Sequence, residues 1–176
     1  MQLEVYADAE EVELFLNGKS AGKAIITEKD RYKAAFELLW QPGTIEAVAY
    51  RSGTVCGRCA LTSAAGAPSL SVEPECAEVS FRQRDVIFVP IRAAGENGQT
   101  LLQRTDTVSV CIDGPAELLG FGSDDPVTEE GFTAPQHRLY DGRALLVLRP
   151  TSTGQITVTA ASQTLPAASA SATVRE

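Results

Sequence analysis

The sequence predicts an all-β protein, two antiparallel β-sandwich modules in tandem. Three observations carry that expectation. Apolar residues recur at every second position through most of the chain, turn signals punctuate those runs at short intervals, and no sustained helical period occurs. Strands in such series, without intervening helices, pack as sandwiches.

Leu3–Tyr6 opens the first series. Val12, Leu14 and Leu16 then alternate with Glu11, Glu13 and Phe15, the pattern of a half-buried strand. Asn17-Gly18 follows and supplies the positive φ angles of a two-residue hairpin turn. The return strand begins at Lys19, with Gly22 allowing a bulge before Ala24-Ile25-Ile26. From Arg31 to Trp40, the side chains of Tyr32, Ala34, Phe36, Leu38 and Trp40 share one face, which predicts a strand of that length with Trp40 in the core. Gln41-Pro42-Gly43 ends it. Ile45–Tyr50, a Ser52-Gly53 turn and Thr54–Leu61 complete the series.

Residues 62–68, Thr-Ser-Ala-Ala-Gly-Ala-Pro, have the composition of a linker and place a module boundary between 1–64 and 65–176. The second series runs through Ser69–Val72, Glu78–Phe81, Val86–Arg92, Thr107–Asp113 and Ala116–Leu119, then Ala144–Leu148, Gln155–Ala160 and Ser171–Val174. Asn97-Gly98 and Asp141-Gly142 mark tight turns within it. Its length is close to the roughly 100 residues of an immunoglobulin-like domain, so the expected architecture is two immunoglobulin-like sandwiches in tandem. Pro90 has no N–H to donate, which predicts that its strand lies at a sheet edge or carries a bulge. Residues 120–140 show no clear strand and read as a long loop of the kind that serves function or packs against something.

Composition narrows the function classes. The chain has 176 residues, 44% of them hydrophobic and 22% charged, which suits an ordinary domain with a core. Net charge is −8, from 15 Lys and Arg against 23 Asp and Glu, and no window supplies the basic stripe that binds phosphates. Nucleic acid is therefore not an expected partner. Nor is a membrane, because no apolar run approaches the roughly 18 residues of a spanning helix. The N-terminus, MQLEVYADAEEVE, lacks the basic start and apolar stretch of a signal peptide. Cys56 and Cys59 lie three apart on an expected strand and so point to opposite faces, which disfavours a shared metal. Together with Cys76 and Cys111 they are expected to be buried or idle thiols. No cofactor is implied.

Candidate chemistry is sparse. Retaining glycoside hydrolysis needs two carboxylates about 5–5.5 Å apart, one with a raised pKa. The adjacent acids Glu10-Glu11, Asp124-Asp125 and Glu129-Glu130 read instead as solvated surface. Asp124, Asp125 and Glu129 share one loop and form the candidate calcium ligands, since calcium takes several carboxylate oxygens. His137, the sole histidine, sits in a Gln-His-Arg stretch expected at the surface, with no serine on a nucleophile elbow. Carbohydrate contact would use an exposed aromatic as a stacking platform. Phe15, opposite in phase to Val12, Leu14 and Leu16, is the better-exposed candidate, and Trp40 is the second.

Two stretches of the first module carry a family resemblance. AEEVELFLNGKSAGK, residues 9–23, and WQPGTIEAVAY, residues 40–50, resemble a module that follows the catalytic barrel in family 2 glycoside hydrolases. The second module is similar to the immunoglobulin-like module that comes next in β-galactosidase-like members. Three stretches carry that likeness: Asp85–Arg92 with Asn97-Gly98, Gly120-Phe121-Gly122-Ser123-Asp124-Asp125-Pro126, and GRALLVLRPTSTGQITVTA at 142–160. Ser123-Asp124 departs from that pattern, standing where Asn-Gly is more usual. The resemblance implies a bacterial parent enzyme, a retaining exo-glycosidase whose two catalytic glutamates sit on an upstream (β/α)8 barrel. Such a barrel needs on the order of 250 residues, and none of its motifs is present. The chain is accordingly expected to be non-catalytic, with the barrel as its partner, continuing upstream of Met1, and to support assembly or substrate access. Carbohydrate binding through a surface aromatic is the alternative.

Overall fold

A computed structural model describes all residues, Met1–Glu176, as strands joined by turns, with a single 3-10 turn at Glu28–Asp30 as the only helical element. The chain divides into two compact units, Met1–Ser63 and Ala64–Glu176.

The first unit holds β1 (Gln2–Tyr6), β2 (Glu11–Leu16), β3 (Lys19–Ile25), β4 (Lys33–Glu37), β5 (Thr44–Arg51) and β6 (Thr54–Thr62). Four of them form an antiparallel sheet in the order β3-β2-β5-β6, and β1 pairs with β4 in a two-stranded sheet. The hairpin turns follow from local chemistry: Asn17-Gly18 and Ser52-Gly53 both adopt positive φ at two successive residues, the geometry that matches strand twist. A bulge opposite Leu14 and Phe15 falls beside Gly22. The core between the sheets consists of Ala9, Val12, Leu14, Ile26, Ala34 and Phe36. Every residue of β6 is exposed.

The second unit is a closed sandwich. One sheet runs β11 (Ala116–Gly122), β13 (Arg143–Pro150), β9 (Ile87–Ala94), β7 (Ser69–Val72). The other runs β12 (Gln136–Arg138), β10 (Thr107–Asp113), β14 (Gly154–Ala161), β15 (Ala168–Arg175), β8 (Glu78–Ser80), all antiparallel except β8 on β15. Alternation sends Val89, Ile91, Leu146 and Leu148 from one sheet against Val108, Ile156, Val158 and Val174 from the other, all essentially sealed from water. Burying each such side chain is worth about 1.5–3 kcal/mol.

Several expectations need correction. The strand expected from Arg31 to Trp40 spans only Lys33–Glu37. Arg31 and Tyr32 both take φ of 55°, and at the other end the ladder with β1 stops at the Gln2–Glu37 pair. Trp40 therefore lies beyond the strand and is 67% exposed, not in the core. The strand carrying Pro90 is interior rather than an edge. The Pro90 carbonyl accepts the Glu73 N–H, so its nitrogen also faces that side, beyond the end of β7, where one missing donor is tolerated. Residues 120–140 are not all loop: β11 runs on to Gly122 and β12 occupies Gln136–Arg138. All four cysteines are free and exposed, so of the expected buried or idle thiols the buried alternative is ruled out.

Candidate functional site

The motifs behind the family resemblance in the first unit meet in space. The Asn17 side chain donates from Nδ2 to the Pro42 carbonyl at 3.1 Å and accepts the Thr44 N–H through Oδ1 at 2.8 Å, while the Asn17 N–H donates to the Thr44 carbonyl. Gly43, at φ of 130°, has no room for a side chain: a Cβ there would stand 1.8 Å from Asn17 Oδ1. The Asn-Gly and Pro-Gly signatures thus form one structural lock. Trp40 and Leu39, the latter 85% exposed, project just before it. Phe15, one residue from the end of β2, is half-buried, less open than Trp40.

Four carboxyls, those of Glu4, Glu13, Glu73 and Asp106, are held below the usual range, the opposite direction from a general acid. Glu13 accepts Ser20 Oγ–H at 2.7 Å, and Lys23 Nζ lies 3.0 Å from Glu11 and 3.4 Å from Glu13. The Ser20 hydroxyl and then Lys23 keep the Glu13 carboxyl below the usual range. Lys33 and Tyr6 do the same for Glu4, as Ser71 and Arg92 do for Glu73. At Asp106 burial pushes upward, but the two-pronged bond from Arg104, at 2.7 and 2.6 Å, and the Thr164 hydroxyl outweigh it and the carboxyl titrates low. Glu10 and Glu11 serve different partners, the Ser52 N–H and Lys23. These are structural contacts.

The 123–135 segment closes the side of the sandwich between β11 and β12. Phe121 N–H donates to the Phe132 carbonyl and Val110 N–H to that of Pro135. Of the candidate calcium ligands, Asp125 Oδ1 accepts the Val127 N–H at 3.0 Å, while Asp124 and Glu129 are exposed. No three carboxylate, histidine or cysteine side chains converge as a metal-binding group. His137, expected at the surface, is fully buried. Its Nδ1 lies 2.9 Å from the Arg138 carbonyl, which places the proton there, and Nε2 is buried without a partner. Sealed in this way, it has no access to a substrate.

Sequence reasoning missed a depression on the outer face of the β11-β13-β9 sheet. Alternation turns Arg143, Leu145 and Val147 outward on β13, and Pro90 and Arg92 on β9. Opposite Leu145 and Val147, β11 presents Gly122 and Gly120, which have no side chains to fill that face. Phe132 lies across Gly122, so close that a Cβ there would come 2.2 Å from its ring. Its ring stacks on buried His137 with centroids 5.6 Å apart and planes 13° apart. Phe132 is 52% exposed and lines the depression, whose volume is about 510 Å³. The signal was present as Gly-Phe-Gly in alternation with a strand, but it reads as a loop when only glycine content is weighed.

Residues 70–171 match the family described as glycoside hydrolase family 2 C-terminal domain 5, and residues 1–57 match a domain of unknown function, DUF4982. The chain is 26% identical over 144 residues to beta-galactosidase BoGH2A of Bacteroides ovatus, covering 82% of this chain and 17% of that protein. A glycosyl hydrolase family 2 member from Bacteroides cellulosilyticus superposes with a TM-score of 0.91 at 30% identity, over 99% of this chain and 23% of that one. A beta-glycosidase from Bacteroides vulgatus shares the fold with a TM-score of 0.87 at 23% identity, over 99% of this chain and 22% of its own. The chain thus spans less than a quarter of each of these proteins. With more than half its length matched, the chain belongs to the glycoside hydrolase family 2 C-terminal domain 5 family.

Proposed function

We propose that the chain is the non-catalytic C-terminal accessory part of a glycoside hydrolase family 2 enzyme resembling β-galactosidase, and that it supports that enzyme's assembly or substrate access. The observation that carries this reading is the match of residues 70–171 to a C-terminal domain of the family, in a chain spanning 17% of a β-galactosidase relative. The chemistry supports it: Glu4, Glu13, Glu73 and Asp106 are all shifted downward, away from the raised pKa of a glycosidase's proton donor. Deleting residues 1–176 from the longer enzyme tests the role. The expected result is a changed oligomeric mass, or lost turnover on a polymeric substrate with turnover on a nitrophenyl glycoside retained. An enzyme unchanged in both would refute it.

A second reading, carbohydrate contact by the first module, is favoured by the exposure of Trp40. Retardation in polysaccharide-containing gels that Trp40→Ala abolishes, and Phe15→Ala weakens less, is the expected result. Equal migration of the wild type with and without polysaccharide would end that reading.

A further inference from the structure

The two edges of the four-stranded sheet in the first module are built differently. β3 carries Lys19, Lys23 and a bulge, devices that keep an edge strand from pairing with another chain. β6, at the other edge, has nine residues, Arg58 as its single charge and no proline, and every residue is exposed. Its bulge, where Cys56 is the extra residue, lies near the start and leaves residues 57–62 regular. Elsewhere the edges are short, charged or occupied. β7, β8 and β12 have three or four residues, and β1 and β4 carry Glu4, Lys33 and Glu37. β11 is bulged, and Phe121 on it bonds to the Phe132 carbonyl. The Ser63 N–H donates to the Gly43 carbonyl, which fixes the alternation of the ladder between β5 and β6. The backbone N–H and C=O groups of Arg58, Ala60 and Thr62 therefore point away from β5, to a side where no strand lies.

We propose that β6 pairs antiparallel with β6 of a second copy of this chain, across a two-fold axis at Cys59, joining two four-stranded sheets into one. In this register Arg58 exchanges backbone bonds with Ala60 of the second copy, and Ala60 with its Arg58. Gly57, Cys59 and Leu61 share a face, since they stand opposite Ala49, Ala47 and Ile45. On that face Cys59 meets Cys59, and Leu61, 65% exposed in the single chain, lies opposite Gly57 of the second copy. Large meets small twice by symmetry, the self-complementarity a two-fold contact requires. Arg58 meets an alanine and keeps its own partner Glu46, 2.8 Å away. Moving the axis to Arg58 would set that residue against itself, and like charges directly opposite repel. Moving it to Ala60 would set Leu61 against Cys59 and leave Gly57 opposite a residue beyond the end of the strand. The pairing rests on strand geometry alone, so its failure would leave the accessory reading standing.

Sedimentation equilibrium of the full chain under reducing conditions tests this. The mass is expected to rise toward twice that of the single chain as concentration approaches about 1 mM. Ala60→Pro removes an N–H that has no partner in its own sheet, so it should abolish association and leave the melting temperature unchanged. Ala60→Lys, which avoids any backbone effect of proline, brings a second cation opposite Arg58 and should weaken association about fivefold. Variants keeping Cys59 or Cys56 as the sole cysteine, oxidised with copper phenanthroline, test the register. Cys59 should cross-link about tenfold faster, because opposed residues at a site of this kind have Cα atoms roughly 4.5 Å apart. The proposal is overturned by a single-chain mass at every concentration, by undiminished association in either Ala60 variant, or by Cys56 cross-linking as fast as Cys59.

Discussion

The two modules use the same strand code and arrive at different degrees of closure. In the second, a four-stranded and a five-stranded sheet face each other and twenty residues form a continuous buried core. In the first, four strands meet only two, the buried core has six residues, and β6 buries none of its own. Tyr6, Ile25, Leu39, Trp40 and Leu61 are all more than 60% exposed in the first module. In the second, Val127 alone among large apolar residues reaches that level. The difference follows from surface-to-volume scaling: about 60 residues cannot enclose both faces of every strand, whereas 100 or more can. Alternation in a sequence therefore specifies which face of a strand is apolar, while burial requires a sheet to lie opposite it.

The largest effect expected is in the core of the second module. Phe121→Ala should cost about 3–5 kcal/mol and lower the higher-melting calorimetric transition, because Phe121 is 1% exposed at the centre of twenty packed residues. Leu14→Ala should cost about 2–4 kcal/mol and erase the transition of the first module, since that core has only five other buried members. Seeing the two variants lower one shared transition equally would break the comparison and make the chain a single cooperative unit.

Next in size is the loop lock of the first module. Gly43→Ala should cost about 1–3 kcal/mol, from an unfavourable φ together with the clash against Asn17. Asn17→Ala, which removes the obstructing side chain, should make the second substitution cheaper. Strictly additive losses would show that the two motifs do not communicate.

Asp106 sharpens the comparison through pH. Its carboxyl is lowered in the folded state by Arg104 and Thr164, so its contribution is present above the ordinary carboxylate range and is lost as pH falls through the depressed value. Asp106→Asn should cost about 1–2 kcal/mol at pH 7, discounted because Arg104 is partly in water. The penalty should shrink below about pH 4, and only in the second module. A penalty that stays constant down to pH 3 would rule out the ion pair as its source. Smallest of all, Lys23→Ala should leave thermal stability unchanged within error, since Lys23 and its nearer partner Glu11 are both open to solvent.

Much of the fold was legible because hairpin turns write themselves in short motifs. Asn17-Gly18, Ser52-Gly53 and Asp141-Gly142 all take the positive φ angles their residue types favour. What failed did so for nonlocal reasons. Tyr32 and Trp40 continue the apolar alternation of β4, but the ladder with β1 spans only Lys33–Glu37, and nothing local reports where a partner strand stops. His137 looked exposed between Gln136 and Arg138 because a three-residue strand is too short to display a period, yet it alternates exposed, buried, exposed. The outer depression depends on Gly122 from β11, Arg143 from β13, Arg92 from β9 and Phe132 from a loop, residues far apart in sequence that only the sheet register brings together.

Hydrolysis by the chain alone is the most direct test of the proposed accessory role. Purified residues 1–176 incubated with nitrophenyl β-D-galactoside should release no nitrophenol above the buffer rate at any pH from 4 to 8. Release that rises in proportion to protein concentration, and that falls when a carboxylate of this chain is replaced by its amide, would contradict a non-catalytic role.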